Sequence, residues 1–286
     1  MQEHPFYRSH IPAEPLRRYV AAFWLYEGYR PAHAVERVLP SATVELVIPL
    51  AGQRLAWREL DGHDDGSAGA IVSGPRHSAF EVPTATQVRL AGIHFHPGGA
   101  WSLLGVPIDA LAGRHVPLDV LCGPAAHHLG EQLAQATSDT ARFALLHQFC
   151  LRRLDPARAP HPAVTAALDH LARAPDDTTI AALVAASGLS HRRFVALFRR
   201  EVGLVPRDVA RLRRFHAALT RARDLLSPSG AHLAAEAGYC DQSHWRLECT
   251  KLSGLAPGPL IAARKAADAV LPAPERVQML PMRPAA

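Results

Sequence analysis

Apolar positions along this chain change period twice. Between residues 43 and 95 they fall in short β-branched or alternating runs, at 43–48, 53–57, 70–72, 79–82 and 88–95, separated by proline, glycine and aspartate. Residues two apart on a strand share a face, so these runs predict short strands. Several such strands with turn residues between them predict a small sandwich or barrel. Ahead of them a polar lead-in gives way to an amphipathic segment at 16–24, with Leu16, Tyr19, Val20 and Phe23 on one helical face. After Pro107 the period becomes helical, in pieces at 108–111, 118–121, 125–136 and 140–154. The last carries Phe143, Leu146, Phe149, Cys150 and Leu154 along one stripe, which reads first as core against the sheet and second as a dimer seam. The proline-bearing segment 156–162 reads as a linker, and the aperiodic, proline-rich end, 269–286, as a mobile tail.

Between these, residues 178–260 repeat one pattern twice. The first copy runs through Leu183, Gly188, Leu189, Ser190, Phe194, Phe198, Gly203 and Pro206. The second runs through Leu233, Gly238, Tyr239, Asp241, Trp245, Cys249, Gly254 and Pro257. Turn glycine and capping glycine are 15 positions apart in the first copy and 16 in the second, and a proline follows 3 positions later in both. In the first copy glycine turns the chain, Ser190 caps a new helix, and a second glycine stops it before proline opens the next. Phe194, Leu197 and Phe198 share one face and must be buried, leaving His191, Arg192, Val195, Arg199 and Arg200 outside. Each copy thus predicts a helix-turn-helix, whose second helix is sized for a DNA major groove. Val209, Leu212, Phe215, Leu219, Ala222 and Leu226 predict a rod between the copies of roughly 30 Å. One turn of duplex is roughly 34 Å, so helices at the rod's two ends would reach successive grooves on one DNA face.

These residues resemble the AraC/XylS-type DNA-binding domain. Its first unit is matched by Gly188-Leu189-Ser190, Phe198-Arg199, Gly203 and Pro206. The more diagnostic second unit is matched by Leu233-Ala234, Gly238-Tyr239, Asp241, Ser243-His244-Trp245, Gly254 and Pro257. The resemblance spans residues 162–265 and implies a bacterial transcription regulator with a separate sensing or dimerising domain. It also implies contact with RNA polymerase where the regulator is an activator. The chain departs from the family at Ala196 and Leu247, where arginine is usual, and at Cys249-Thr250, where an aromatic-basic pair is usual. The departures imply a weaker grip by the second unit. Leu39-Pro40-Ser41, Ser73-Gly74-Pro75 and Phe95-His96-Pro97-Gly98-Gly99-Ala100 resemble the poorly characterised N-terminal domain that accompanies such regulators.

Charge fits this division. Residues 1–160 hold 14 basic and 15 acidic side chains and residues 161–286 hold 17 and 11, so the net charge of +5 belongs to the half with the repeat. An excess there is what phosphate binding requires. With 48% hydrophobic and 20% charged residues, both halves have the means to bury a core. Cys122, Cys150, Cys240 and Cys249 lack metal-type spacing and read as reduced thiols. The start of the chain has no apolar signal core, and no apolar run reaches spanning length, so a cytoplasmic protein with no membrane partner is expected.

The expected architecture is α+β: a β-rich sensing or dimerisation domain at 1–155 with flanking helices, then an all-α DNA-binding domain at 163–268 with two helix-turn-helix units joined by a long helix. Arg192, Val195, Ala196 and Arg199 in the first recognition helix, and Gln242, Ser243, Arg246 and Leu247 in the second, are placed to read bases. Arginine pairs with guanine, glutamine with adenine, and valine touches a thymine methyl. Arg200, Lys251 and Arg264 are placed as phosphate anchors. His94, His96 and Trp101, beside Gly98-Gly99, form a weak effector-site candidate, with a tight strand-to-helix corner as the plainer reading. His94 and His96 would share one strand face, which opens the rival reading of a metal-dependent cupin-like enzyme carrying a regulatory DNA-binding domain, with His77 or His115 as further ligands. No Ser-His-acid set, phosphate loop or nucleophile elbow appears, which argues against an enzyme. No cofactor is expected. The expected partners are duplex DNA, a small-molecule effector and a second copy of the chain.

Overall fold

The computed structural model describes residues 2–4, 6–173, 179–224, 238–270 and 279–282. Its β-rich half is a sandwich of two antiparallel sheets. The first has the order β1 (Gln2–His4), β2 (Tyr7–His10), β3 (Val20–Glu27), β10 (Arg89–Phe95), β5 (Glu45–Pro49), β8 (Ile71–Ser73) and β11 (His115–Pro117). The second has the order β12 (Met279–Met282), β4 (Val35–Val38), β9 (Phe80–Pro83), β6 (Leu55–Glu59) and β7 (Asp64–Ser67). The expected runs at 43–48, 53–57, 70–72, 79–82 and 88–95 each appear within two or three residues of these strands.

Alternation along β3 explains how the first sheet is covered. Trp24 and Tyr26 face the second sheet, where they join Tyr7, Leu55, Trp57 and Phe80. Phe23 and Leu25 face the other way, into a core closed by helices α1 (Trp101–Leu104), α2 (Leu118–Cys122), α3 (Pro124–Gln135) and α4 (Asp139–Arg153). Because both faces are buried, nearly every residue of β3 is apolar and the period of two vanishes. The amphipathic helix expected at 16–24 is therefore a single 3-10 turn, Leu16–Arg18, leading into a central strand. The stripe of α4 is core: Phe143, Leu146, Phe149 and Cys150 are all buried in the same cluster as Phe23. Ser138 caps α4, its Oγ accepting from the Ala141 amide at 3.2 Å.

The expected linker region is seated against α1. The Asp155 amide donates to the Ser102 carbonyl at 3.0 Å, and Ser102 Oγ donates to the Arg158 carbonyl at 2.8 Å. Beyond it lie α5 (Pro162–Arg173), α6 (Ile180–Ser187), α7 (His191–Val202), the rod α8 (Pro206–Asp224), α9 (Gln242–Ser253) and α10 (Pro257–Val270). Leu226, Leu233 and Ala234 lie outside the described residues. Among the described residues no single helix is long and apolar enough to cross a membrane.

The tail departs from the sequence expectation. Residues 279–282 form β12, pairing Met279 with Val38 and Met282 with Val35, and Met279 and Leu280 are buried. A proline is tolerated there because β12 is an edge strand, where a missing N–H need not break the ladder. The two halves share a core: Leu39, Ala42 and Ala79 from the first and Leu280 from the tail pack with Phe194, Phe198, Phe215 and Trp245.

Candidate nucleic-acid interface

In the first unit, Thr179 caps α6 and Ser190 caps α7, whose Oγ accepts from the Arg193 amide at 3.4 Å. Gly188, at φ 66°, sets α6 and α7 at 97° to each other. That crossing is the one a helix-turn-helix requires. Gly203 ends α7 at φ 91°, a left-handed conformation that penalises any side chain, and its amide donates to the Arg199 carbonyl at 2.8 Å.

The described part of the second unit copies this. Asp241 caps α9, its Oδ1 accepting from the His244 amide at 2.7 Å, and Gly254 ends the helix at φ 73°. Inward, Trp245, Cys249 and Leu252 are fully buried, and the Trp245 ring packs on Tyr239 at 5.0 Å and on Phe215 of the rod at 6.2 Å. Arg211 of the rod donates through Nε and Nη2 to both carboxylate oxygens of Glu248, at 2.6 and 2.8 Å. Such a two-point bond fixes angle as well as distance, so α9 is keyed to the rod. At 19 residues the rod is about 28 Å long.

Outward, Arg192, Ala196 and Arg199 of α7 are exposed and Val195 is half-buried. Gln242, Ser243, Arg246 and Leu247 of α9 are exposed, as is Lys251. Two of the expected DNA residues already have partners in the other half. Arg199 Nε lies 3.3 Å from Asp109 Oδ2, and the Arg200 guanidinium sits 5.0 Å over the Trp101 ring. Arg264 is half-buried, close enough to His216 to help hold that imidazole's pKa below its usual value.

The effector candidates are not brought together. A bulge interrupts the pairing of β10 between His94 and Phe95, and the strand ends at Phe95. His94 is buried with Nδ1 at 2.5 Å from Glu45 Oε2, and Glu45 also accepts from Trp24 Nε1. His96 lies beyond the strand end and is exposed. The extra residue of that bulge is Ala21 on β3, so β10 keeps its alternation, and the i, i+2 rule fails because the strand stops before His96. Among the described residues no three or more His, Cys, Asp or Glu side chains gather as a metal set. The rival reading therefore lacks the His94–His96 pair on which it rested.

The three N-terminal phrases singled out above all meet the helical half. Pro40 accepts at its carbonyl from His216 Nε2 on the rod at 2.8 Å. A methyl placed on Gly203 would come within 2.4 Å of Pro75 Cγ, and one on Gly98 would touch Leu168 and Val202. Further along the loop that follows β8, His77 lies 3.8 Å from Asp208 on the rod, and the Ala79 amide donates to the Leu252 carbonyl of α9 at 2.8 Å. One loop thus touches the end of α7, the start of α8 and α9. Periodicity could not have shown this, since none of the contacts is local.

Residues 8–117 match the family described as "Domain of unknown function (DUF6597)". The DUF6597 segment contains the three phrases and the sandwich strands from β3 to β11. No curated protein matches the chain. Among solved structures it is similar to ToxT from Vibrio cholerae. In one crystal form the identity is 8%, with 90% of this chain and 98% of that chain covered and a TM-score of 0.42. In ToxT bound to an unsaturated fatty acid the identity is 5%, the coverage 91% and 97%, and the TM-score 0.41. The functional reading rests on this chain's own residues.

Proposed function

We propose that the protein is a sequence-specific DNA-binding transcription regulator of the AraC type. Its α7 and α9 enter successive major grooves, and its DUF6597-containing half governs whether they dock together, with an effector as the signal. The observation that carries this reading is the matched pair of capped helices, polar outward and apolar inward, mounted on a rod of about 28 Å. The role is regulatory and not catalytic, with RNA polymerase as a further partner where it activates, and a second copy of the chain through which it dimerises. An effector shifts docking only by binding the open and closed arrangements unequally.

Base reading and phosphate anchoring separate experimentally. Arg192→Ala is expected to cost about 1–3 kcal/mol of discrimination at one position of the bound sequence, measured by competition between duplexes differing at single base pairs. Arg200→Ala is expected to weaken all duplexes alike and to reduce the steepness of the salt dependence by about one unit. If Arg192→Ala leaves discrimination intact, the register of α7 in the groove is wrong.

The contacts of α7 with the other half set a second expectation. The Arg199–Asp109 pair is largely exposed, with side chains 60% and 30% accessible, so it contributes at most about 1 kcal/mol and works as a weak latch. Asp109→Ala should leave the unfolding midpoint in urea nearly unchanged and tighten DNA binding a few-fold, roughly as the lost pair would allow. Unchanged or weaker DNA binding would remove the latch from the account.

A further inference from the structure

The sandwich holds a partly open cavity of about 140 Å³ between its sheets. Trp24, Tyr26, Leu55, Trp57, Phe80 and Met279 make most of its wall apolar and aromatic, and Arg76 and His115 form a polar corner. That corner is closely packed. The Arg76 guanidinium lies 4.4 Å over the Phe80 ring, and the His115 ring packs on Trp57 at 4.3 Å and Phe80 at 4.7 Å.

The hydrogen bonds of the corner fix its protons. Arg76 Nη1 lies 2.9 Å from His115 Nε2, and Nη2 donates to Glu59 at 2.7 Å and to the Gly113 carbonyl at 3.1 Å. Arginine only donates, so Nε2 of His115 accepts and the imidazole proton sits on Nδ1. Burial, reinforced by the Arg76 charge, pushes the His115 pKa down to about 3, in keeping with a neutral ring. Among the described residues neither the Nδ1–H of His115 nor the Nε–H of Arg76 has a hydrogen-bond partner, although both atoms are buried. Unpaired buried donors are costly, and an acceptor in the cavity that drew either side chain toward it would relieve that cost.

The corner offers donors without net charge. Glu59 neutralises Arg76, His115 is neutral, and the remaining charged wall residue, Glu45, is an acid held by Trp24 and His94. An anion would gain no uncompensated positive charge here and would face two carboxylates, whereas a carbonyl oxygen takes two hydrogen bonds. Cavities of about 150 Å³ take benzene, so the volume suits one ring.

We propose that this cavity binds an uncharged, single-ring aromatic molecule with a carbonyl-type oxygen that accepts from Arg76 and His115, and that its occupancy is the signal read by the DNA-binding half. The second clause rests on the regulator reading above. Arg76 is the link: its side chain forms the corner, its amide donates to the Ser41 carbonyl at 2.9 Å, and its neighbours Pro75, His77 and Ala79 touch α7, α8 and α9.

The test uses the full chain with acetophenone, ethylbenzene and benzoate in titration calorimetry. Acetophenone should bind at least about tenfold more tightly than ethylbenzene, the difference two hydrogen bonds make, and more tightly than benzoate. His115→Phe keeps the ring packing and removes one donor. It should retain ethylbenzene affinity and lose much of the acetophenone advantage, so retained ethylbenzene binding shows that the cavity is still folded. Equal binding of acetophenone and ethylbenzene overturns the role of the donors, preference for benzoate overturns the uncharged class, and no binding of any probe overturns the site. Duplex binding with and without acetophenone then tests the signal: a change of several-fold supports it, and no change overturns that clause while the site stands. Failure to bind any duplex in either condition overturns the regulator reading without touching the calorimetry.

Discussion

Trp245→Ala should lower the free energy of unfolding by about 3–5 kcal/mol, the usual cost of truncating a buried tryptophan. Trp245 is wholly buried on the inward face of α9, against Tyr239 and against Phe215 of the rod. Collapse of the cavity left behind would tilt α9 despite the Arg211–Glu248 key, because that bond joins a single pair of side chains and the indole fills the seam between α9 and the rod. Urea denaturation measures the loss, and binding to duplexes carrying one or two sites shows whether the second unit is lost with it. Leu247→Ala on the opposite face of the same helix, where the side chain is 64% exposed, should change stability by less than about 0.5 kcal/mol. A loss below about 1 kcal/mol at Trp245 would mean that α9 is not held as described.

The second large effect is with pH. Burial, with Arg76 beside it, holds the His115 pKa near 3. His216 is lowered as well, first by burial and then by Arg264 and Arg213, against the opposing pull of the Pro40 carbonyl. In the unfolded chain both groups titrate near 6.5. Below that value the unfolded state takes up protons that the folded state refuses, so stability is full above pH 6.5 and falls on acidification. Each histidine contributes a slope of up to about 1.4 kcal/mol per pH unit, and for His115 the window runs from about 6.5 toward 3. Urea unfolding between pH 7.5 and 5.5, above the range where most carboxylates titrate, should show the slope, and His115→Gln should remove about one proton's share of it. A slope unaltered by that substitution would mean that the ring is not held neutral. Since His216 bridges the rod to Pro40 and His115 lies in the cavity corner, acidification loads the seam between the halves and the sandwich together.

Local features were readable from sequence where short-range chemistry decides them. The cap at Ser190, the left-handed stops at Gly203 and Gly254, and the inward faces at Phe194, Phe198 and Trp245 all stand where spacing put them, and Asp241 caps the second helix at the place matching Ser190. The strands that carry β-branched or alternating runs between residues 43 and 95 were found, and the brief strands at 7–10, 35–38, 64–67 and 115–117 were not; β3, buried on both faces, passed for a helix because alternation was erased. Residues 279–282 were missed because proline hides a period that an edge strand does not need. His94 and His96 were paired by a rule that assumes both lie on one strand, and β10 stops at Phe95. The cavity corner was invisible for another reason. Arg76 and His115 are 39 positions apart and meet only because the loop after β8 and the start of β11 lie side by side. The partners of Arg199 and Arg200 are hidden in the same way, since nothing near α7 in sequence announces Asp109 or Trp101.

The central claim is that α7 and α9 read DNA together, and selection of bound duplexes from a random pool across a series of salt concentrations tests it most directly. The account predicts a recovered motif of two boxes about one helical turn apart, with affinity falling steeply as salt rises. Recovery of a single box, or of no preferred sequence with and without candidate effectors, would contradict it.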